Sequence, residues 1–509
     1  MSKMRGRILI PLPNTGAMGR KRNNFYMRSV FLLALCIFGL LQYHNFNYLD
    51  SRDNVLGDAV TNDSDDAILA MVPATLHKYL TPHSRNHTNS GAGVLSGAAL
   101  LLNATSSGAA TATTISFDVY HPPNITEIKR QIGRYNDMQS VLNEDVFGPL
   151  QNDSVIIVVQ VHTRITYLRH LIVSLAQARD ISKVLLVFSH DYYDDDINDL
   201  VQQIDFCKVM QIFYPYSIQT HPNEYPGVDP NDCPRNIKKE QALITNCNNA
   251  MYPDLYGHYR EAKFTQTKHH WIWKANRVFN ELEVTRYHTG LVLFLEEDHY
   301  VAEDFLYLLA MMQQRTKDLC PQCNVLSLGT YLKTFNYYTY HSKLHARVRT
   351  VKIDRQSIIN DYRKVEVMPW VSSKHNMGFA FNRTTWSNIR KCARHFCTYD
   401  DYNWDWSLQH VSQQCLRRKL HAMIVKGPRV FHIGECGVHH KNKNCESNQV
   451  ISKVQHVLRI ARNSHQLFPR SLTLTVPSLM KKSKLRKGNG GWGDLRDHEL
   501  CLNMTLPTR

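Results

Sequence analysis

Residues 291–300 read LVLFLEEDHY: five apolar residues, three consecutive carboxylates, then His299 and Tyr300. A short apolar run closed by polar residues suits a strand buried on both faces. Carboxylates at the carboxyl end of such a strand sit where open α/β sheets bind ligands. Glu296, Glu297 and Asp298 repel one another, and a hard divalent cation with a preference for oxygen would relieve that repulsion. Taken alone, the same residues also fit a solvated acidic turn. A second acidic stretch, TYDDYNWDW at 398–406, offers Asp400, Asp401 and Asp405. A carboxylate here could accept the proton of an attacking hydroxyl. The bland alternative is capping of a helix that begins near Trp404, a role that suits Asp400 and Asp401 better than Asp405.

These residues need a frame, and the preceding chain supplies one. SVIIVVQVH (154–162), KVLLVFSHD (183–191) and KVMQIFYP (208–215) read as buried strands, and ITYLRHLIVSLAQA (165–178) has apolar residues at helical spacing. Residues 261–288 read as one long helix ahead of the LVLFLEEDHY strand, and NVLSLGTY (324–331) as a further strand. Strand and helix in alternation, with nearly continuous apolar strands, predict an α/β fold with a parallel sheet and Rossmann-like winding. After 370 the pattern changes to short elements rich in cysteine and aromatic residues, which suggests a binding subregion packed on the same sheet. No internal repeat is visible.

The amino-terminal 29 residues hold seven basic residues, Lys3, Arg5, Arg7, Arg20, Lys21, Arg22 and Arg28, and no acid. VFLLALCIFGLL follows at 30–41. Taken over 25–43 the apolar segment is just long enough to span a bilayer. Residues 40–44 offer no small-residue cleavage site, which favours an uncleaved anchor over a signal peptide. The positive-inside rule then keeps a basic tail, 1–24, in the cytosol and sends everything beyond 43 into a lumen. Residues 44–125, with a Gly/Ala/Ser/Thr-rich middle, read as a flexible stem, and 126–509 as the globular part. Sequons at Asn62, Asn86, Asn103, Asn124, Asn152, Asn382 and Asn503 agree with a secretory route. So do the eleven cysteines between 207 and 501, which read as a disulfide-stapled domain with one thiol over. Zinc at Cys320-Pro-Gln-Cys323 is disfavoured, because no second CxxC lies nearby. The net charge of +16 invites a nucleic-acid reading. However, part of it is the basic tail, part is KKSKLRK at 481–487, and no nucleic-acid motif accompanies it.

QVHTR (160–164), FSHD (188–191), HYREAKFTQTKHHW (258–271), LFLEEDHY (293–300), HNMG (375–378), FCTYDDYNWDWSLQ (396–409) and NGGWGDLRDHELC (489–501) together resemble the N-acetylglucosaminyltransferase II family. The resemblance covers about 155–501. It implies a GT-A fold, UDP-GlcNAc as donor, manganese (Mn2+) as cofactor and an inverting transfer. The acceptor it implies is the α1,6-arm mannose of an N-glycan on a glycoprotein, and the product a β1,2 linkage formed at the Golgi membrane. It makes Asp298 and His432 the metal ligands. Gln160, Val161, His162, Thr163, Arg164 and Asp191 would surround uridine and ribose. Gln266, Thr267, Lys268, His269 and His270 would line the diphosphate and sugar. Glu296 and Glu297 would meet acceptor or ribose, or stand behind the metal ligands. Asp405 would be the general base, partly desolvated by Trp404 and Trp406, which could also stack on sugar faces. On the residues alone, His432 reads as an ordinary buried histidine, Asp191 as a turn residue and Lys268 as a solvated helix lysine.

Two departures from the family stand out: Thr163 replaces an Asn, and 332–342 differs so much that a basic contact residue is either replaced by Lys333 or absent. The resemblance also implies the pairs Cys233–Cys247, Cys320–Cys323, Cys392–Cys415, Cys397–Cys501 and Cys436–Cys445, with Cys207 free and buried. The competing readings are a related β-GlcNAc transferase acting on another mannose, and a catalytically dead, lectin-like Golgi protein.

Overall fold

In a computed structural model of the chain, the described residues are 69–81, 124–330, 363–434, 447–475 and 488–506. The basic tail, the apolar stretch at 25–43, most of the expected stem, the 332–342 segment, the Cys436–Cys445 pair and KKSKLRK lie outside them. Among the described residues no helix is long and apolar enough to cross a membrane.

Strands β1 (Ile156–Val161), β2 (Leu185–His190), β3 (Lys208–Phe213) and β4 (Leu291–Glu296) pair in parallel in the order β3-β2-β1-β4. Residues in β2 and β3 are buried throughout, as apolar strands covered on both faces must be. The two-residue period of the strand divides β1 between two cores. Ile157 and Val159 join Leu168, Leu171 and Phe305 on one side, while Ile156 and Val158 join Trp271, Phe279 and Trp404 on the other. Each such fully buried side chain contributes about 1.5–3 kcal/mol.

The helices used below are α1 (Ile125–Met138), α2 (Ile165–Ala176), α3 (Ala262–Asn276), α4 (Arg383–Lys391), α5 (Trp404–Gln414) and α6 (Leu495–Thr505).

The predicted parallel sheet accounts for only half of what is present. Beyond β4 the nine-stranded sheet continues with β8 (Phe379–Asn382), β6 (Val325–Ser327), β9 (His421–Val425), β7 (Lys364–Pro369) and β11 (Thr473–Thr475). The pairs β4–β8, β6–β8 and β7–β9 are antiparallel, whereas β6–β9 and β7–β11 are parallel. This region is the cysteine- and aromatic-rich one, where short strands gave no clear period. A separate antiparallel pair joins β5 (His299–Val301) to β10 (Val430–His432).

Two further expectations need correction. The long helix expected at 261–288 ends at Asn276 and continues as a wide π turn, Arg277–Glu281, and a 3-10 turn, Glu283–Thr285. Arg383 donates to the carbonyls of Phe279, Thr285 and His288, so a side chain takes the place of the helical donors there. Within the expected flexible stem, Ala74–Tyr79 form a 3-10 turn that docks on the domain. Val72 and Tyr79 are buried in the main core, Tyr79 Oη donates to Asp205 at 2.7 Å, and Arg169 of α2 donates to the Tyr79 carbonyl at 2.9 Å.

Four of the expected disulfides are formed: Cys233–Cys247, Cys320–Cys323, Cys392–Cys415 and Cys397–Cys501. Cys207 is a buried free thiol.

Candidate active site

The carboxyl ends of β1 and β4 lie side by side, with Gln160 opposite Glu296. Just beyond, the chain of β4 turns through Glu297 and Asp298 into β5, where antiparallel pairing sets His299 directly across from His432. Register alone therefore brings together carboxylates and an imidazole more than 130 residues apart. A buried ion pair pins this small ribbon: Arg429, just before β10, donates two hydrogen bonds to Asp304, and both side chains are wholly buried.

Asp298 is the centre of the cluster. Its Oδ2 accepts from Arg164 Nη1 at 2.8 Å and lies 3.0 Å from His432 Nε2. Its Oδ1 is buried and meets no hydrogen-bond partner among the described residues. Burial opposes its ionisation, but the hydrogen bond and charge of His432 and the charge of Arg164 hold the carboxyl below the ordinary carboxylate range. Burial likewise disfavours the His432 cation, yet its bond to Asp298 raises its pKa. Gly434 passes so close that a Cβ there would collide with the Asp298 carboxylate. An orphaned carboxylate oxygen, a facing imidazole and a backbone held close by glycine fit a divalent cation. Glu296, Asp298 and His299 can each bring one ligand atom within 4.8 Å of the others. His299 is a candidate ligand that the sequence reading passed over, although it adjoins Asp298. Its Nδ1 accepts the Glu296 N–H at 3.2 Å, and burial pushes its pKa down to about 3, which keeps it neutral.

Glu297 is 2 % exposed and is used within the protein. It accepts from His162 N at 2.7 Å and Arg164 Nε at 2.7 Å, so it shapes the 162–164 loop from behind. His162 and Thr163 are exposed on that loop, and Val161 is buried beneath it. His162 Nδ1 is 2.6 Å from Asp191 Oδ1, and Asp191 is also 3.3 Å from His270 Nδ1. Burial raises the pKa of Asp191, but these two imidazoles outweigh it and hold the carboxyl low. Ser189 Oγ lies 2.8 Å from His270 Nε2. Ser189–His270–Asp191 has the connectivity of a hydrolase triad, but Ser189 and His270 are fully buried, so no substrate reaches that hydroxyl.

The run Gln266–His270 divides by helix geometry. Gln266, His270 and Lys274 stand four residues apart on α3 and share one face. Gln266 accepts from Ile218 N at 2.6 Å, and Lys274 donates to Gln160. Burial pushes the Lys274 ammonium down to about 7, against the pull of Glu296. Lys274 was missed, although this same four-residue spacing could have found it. Thr267 is exposed. Lys268 and His269 do not face the crevice, which corrects the expectation for both. Lys268 is fully buried and donates to the carbonyls of Tyr399 and Asp401, at 3.1 and 2.9 Å, while lying 4.0 Å over the Trp492 ring. His269 Nε2 is 3.1 Å from the Asp497 carbonyl.

Asp405 lies in the first turn of α5. Burial pushes its carboxyl up to about 7, and the charges of Asp401 and Glu296 act in the same direction. The base candidate and Glu296 at the end of β4 thus feel one another. Asp400 and Asp401 are tied elsewhere. Asp400 accepts from Leu255 N at 2.6 Å and Trp492 N at 3.1 Å. Asp401 accepts from the backbone and side-chain nitrogens of both Asn403 and Asn489, all at 2.9 Å. They clasp the loop before α6 and cap no helix directly. Trp404 is core: it stacks on Trp271 with ring centres 4.7 Å apart. Of the flanking tryptophans only Trp406, half-buried, remains available to a sugar face.

Comparisons with known proteins place the chain in a family. The family model described as N-acetylglucosaminyltransferase II (MGAT2) matches residues 129–353 and 350–501. The mouse protein named alpha-1,6-mannosyl-glycoprotein 2-beta-N-acetylglucosaminyltransferase is 44% identical over 72% of this chain and 76% of its own. The human protein of that name is 43% identical over 71% and 76%. Among solved structures, S. aureus TarS residues 1–349 superposes over 61% of this chain and 72% of its own, at 10% identity and a TM-score of 0.26, which adds nothing to the topology above. On the matches to the family model and to these relatives, the chain belongs to the N-acetylglucosaminyltransferase II family.

Proposed function

We propose that this chain transfers GlcNAc from UDP-GlcNAc, with inversion, to the 2-hydroxyl of the α1,6-arm mannose of N-glycans, through a GT-A type crevice at the ends of β1 and β4. Family membership supports the reaction. The observation that carries the mechanism is Asp298, whose buried Oδ1 meets no hydrogen-bond partner among the described residues, beside His432, while Glu296 next to it acts on Asp405, whose carboxyl burial pushes up to about 7. Asp298 and His432 would hold a divalent cation, manganese in our reading, which would supply positive charge to stabilise the departing diphosphate. Arg164, partly exposed beside Asp298, supplies positive charge for the donor phosphates in this reading. His162 and Asp191, with Gln160 and Thr163 beside them, form the wall for uridine and ribose. Asp405 takes the proton as the mannose hydroxyl attacks opposite the leaving group. Its position near 7 suits it to that task, because a base is most effective when its pKa lies near the working pH. The basic residues before 25, the sequons and the disulfides support a single-pass anchor with the catalytic unit in the Golgi lumen.

The test supplies the protein with UDP-GlcNAc, manganese and an N-glycan that carries GlcNAc on its α1,3 arm only. A new β1,2-linked GlcNAc on the α1,6-arm mannose is expected. Transfer to a different mannose would favour the related-transferase reading, and absence of both transfer and donor hydrolysis the lectin-like one.

A further inference from the structure

The amino-terminal end of the parallel sheet, opposite the crevice, carries two sequons that lie far apart in sequence. Asn152 precedes β1, and Asn382 ends β8. One loop joins them. Thr289 N and Gly290 N donate to the Asn152 carbonyl at 2.7 and 3.1 Å, and His288 Nε2 is 2.7 Å from the Ser154 carbonyl. The next residue, Leu291, pairs in register with Asn382. Gly290 is required for this approach, because a Cβ would meet the carbonyl oxygens of Ser154 and Asp153 at 2.5 and 2.6 Å.

The two polar atoms of Asn382 have different fates. Oδ1 is the amino-terminal cap of α4 and accepts from Thr385 N at 3.1 Å and Thr385 Oγ1 at 3.2 Å. Nδ2, the atom an N-glycan consumes, makes no hydrogen bond among the described residues, and Asn382 is half-buried. Asn382 lines a cleft of about 400 Å3 together with Thr289, Thr384, Ser387, Asn388 and Lys391, residues that all carry polar groups. The middle residue of the sequon does not compete for this space, since the Arg383 guanidinium is committed to three carbonyls. Hydroxyl, amide and ammonium groups set among comparable apolar surface suit a carbohydrate, which presents both hydroxyls and C–H faces. The Asn152 side chain is exposed beside it.

We infer that Asn382 and Asn152 both carry N-linked oligosaccharides, which makes this end of the sheet a glycan-covered face turned away from the active site. The inference rests on the lumenal reading above. The donor is a lipid pyrophosphate-linked oligosaccharide. Its sugar C1–O bond to the pyrophosphate breaks, and the electron pair leaves with the pyrophosphate. The C1–Nδ2 bond forms as the amide nitrogen loses one proton. Glycosylation leaves Oδ1 untouched, so α4 keeps its cap.

The test expresses the full chain in a secretory eukaryotic cell and maps glycopeptides after enzymatic glycan release in heavy-oxygen water. Heavy-oxygen aspartate is expected at both 382 and 152. Asn382→Asp, which keeps the capping oxygen, and Thr384→Ala, which leaves the cap untouched, should each remove one glycan with melting temperature and transfer activity unchanged. An unmodified Asn382 or Asn152 on a chain with other sequons occupied would overturn the inference and leave the lumenal reading standing. A chain with no sequon occupied would overturn both. Lost activity at an unchanged melting temperature, in either variant, would show that this face is not remote from catalysis.

Discussion

Two arginine–aspartate contacts lie at either end of the β5 segment, and they differ in kind. Arg429 and Asp304 are wholly buried and complete. Arg429 also donates to the Gly427 and Gln466 carbonyls, and Asp304 Oδ2 accepts from Phe468 N at 2.8 Å. Arg164 and Asp298 make the same kind of contact, but the Arg164 side chain is 31% exposed and Asp298 Oδ1 has no partner. The first pair is complete, whereas the second keeps one carboxylate oxygen that an ion, in the proposed function, would use. A buried ion pair with every group satisfied acts as a fastener, and the proposed function makes the pair with one unpartnered oxygen the site.

The sharpest test of that contrast is a pair of substitutions. Asp298→Asn should abolish metal-dependent transfer and eliminate manganese-induced stabilisation, with the melting temperature of the metal-free protein nearly unchanged. Asp304→Asn should cost about 3–5 kcal/mol of stability, because it leaves Arg429 as an uncompensated buried charge. Thermal unfolding with and without manganese reads both. Equal destabilisation by the two would erase the distinction.

Asp405→Asn should lower turnover by about two to four orders of magnitude with donor binding retained. The pH dependence sharpens this. An ionised base is required, so wild-type activity should rise with pH through about 7. The folded-state pKa is raised above its unfolded value, so folding favours the protonated form. Stability therefore falls as pH rises from the unfolded pKa toward 7. Asn cannot titrate, and the variant should be the more stable protein above pH 7, by about 1–3 kcal/mol. Asp400→Asn or Asp401→Asn should act instead through the loop before α6, with larger loss of stability and smaller loss of turnover. Normal turnover in Asp405→Asn would remove it as the base.

What was legible in the sequence follows the same division between complete and incomplete local signals. Continuous apolar strands located β1 to β4, and their order follows from parallel winding. The acids after β4 sit where a sheet of this kind binds ligands. Three things could not be read. The Gln266–His270 run has a face for the crevice and another for the 399–401 loop, and only the helix phase separates them. Trp404 seemed a sugar platform by composition, but its stacking on Trp271 is set by the meeting of α3 and α5. Residues 71–81 lacked any period, since a single 3-10 turn with two apolar anchors is too short to show one.

That last segment gives the smallest expected effect. Tyr79 is completely buried, and its hydroxyl reaches Asp205 at 2.7 Å. Tyr79→Phe keeps the ring in the core and removes one hydrogen bond, which should cost about 1 kcal/mol. A fragment that starts at 82 loses Val72 and Tyr79 together and should melt earlier than one that starts at 71, with turnover unaffected, because the turn bonds to Asp205 and Arg169 and to neither Asp298 nor Asp405. The docked turn is therefore a fastener like Arg429–Asp304, made of apolar surface and one hydroxyl rather than charge, and its loss should appear in stability alone. Equal melting temperatures for the two fragments would mean that the turn adds nothing to the domain, and that the stem is free up to α1.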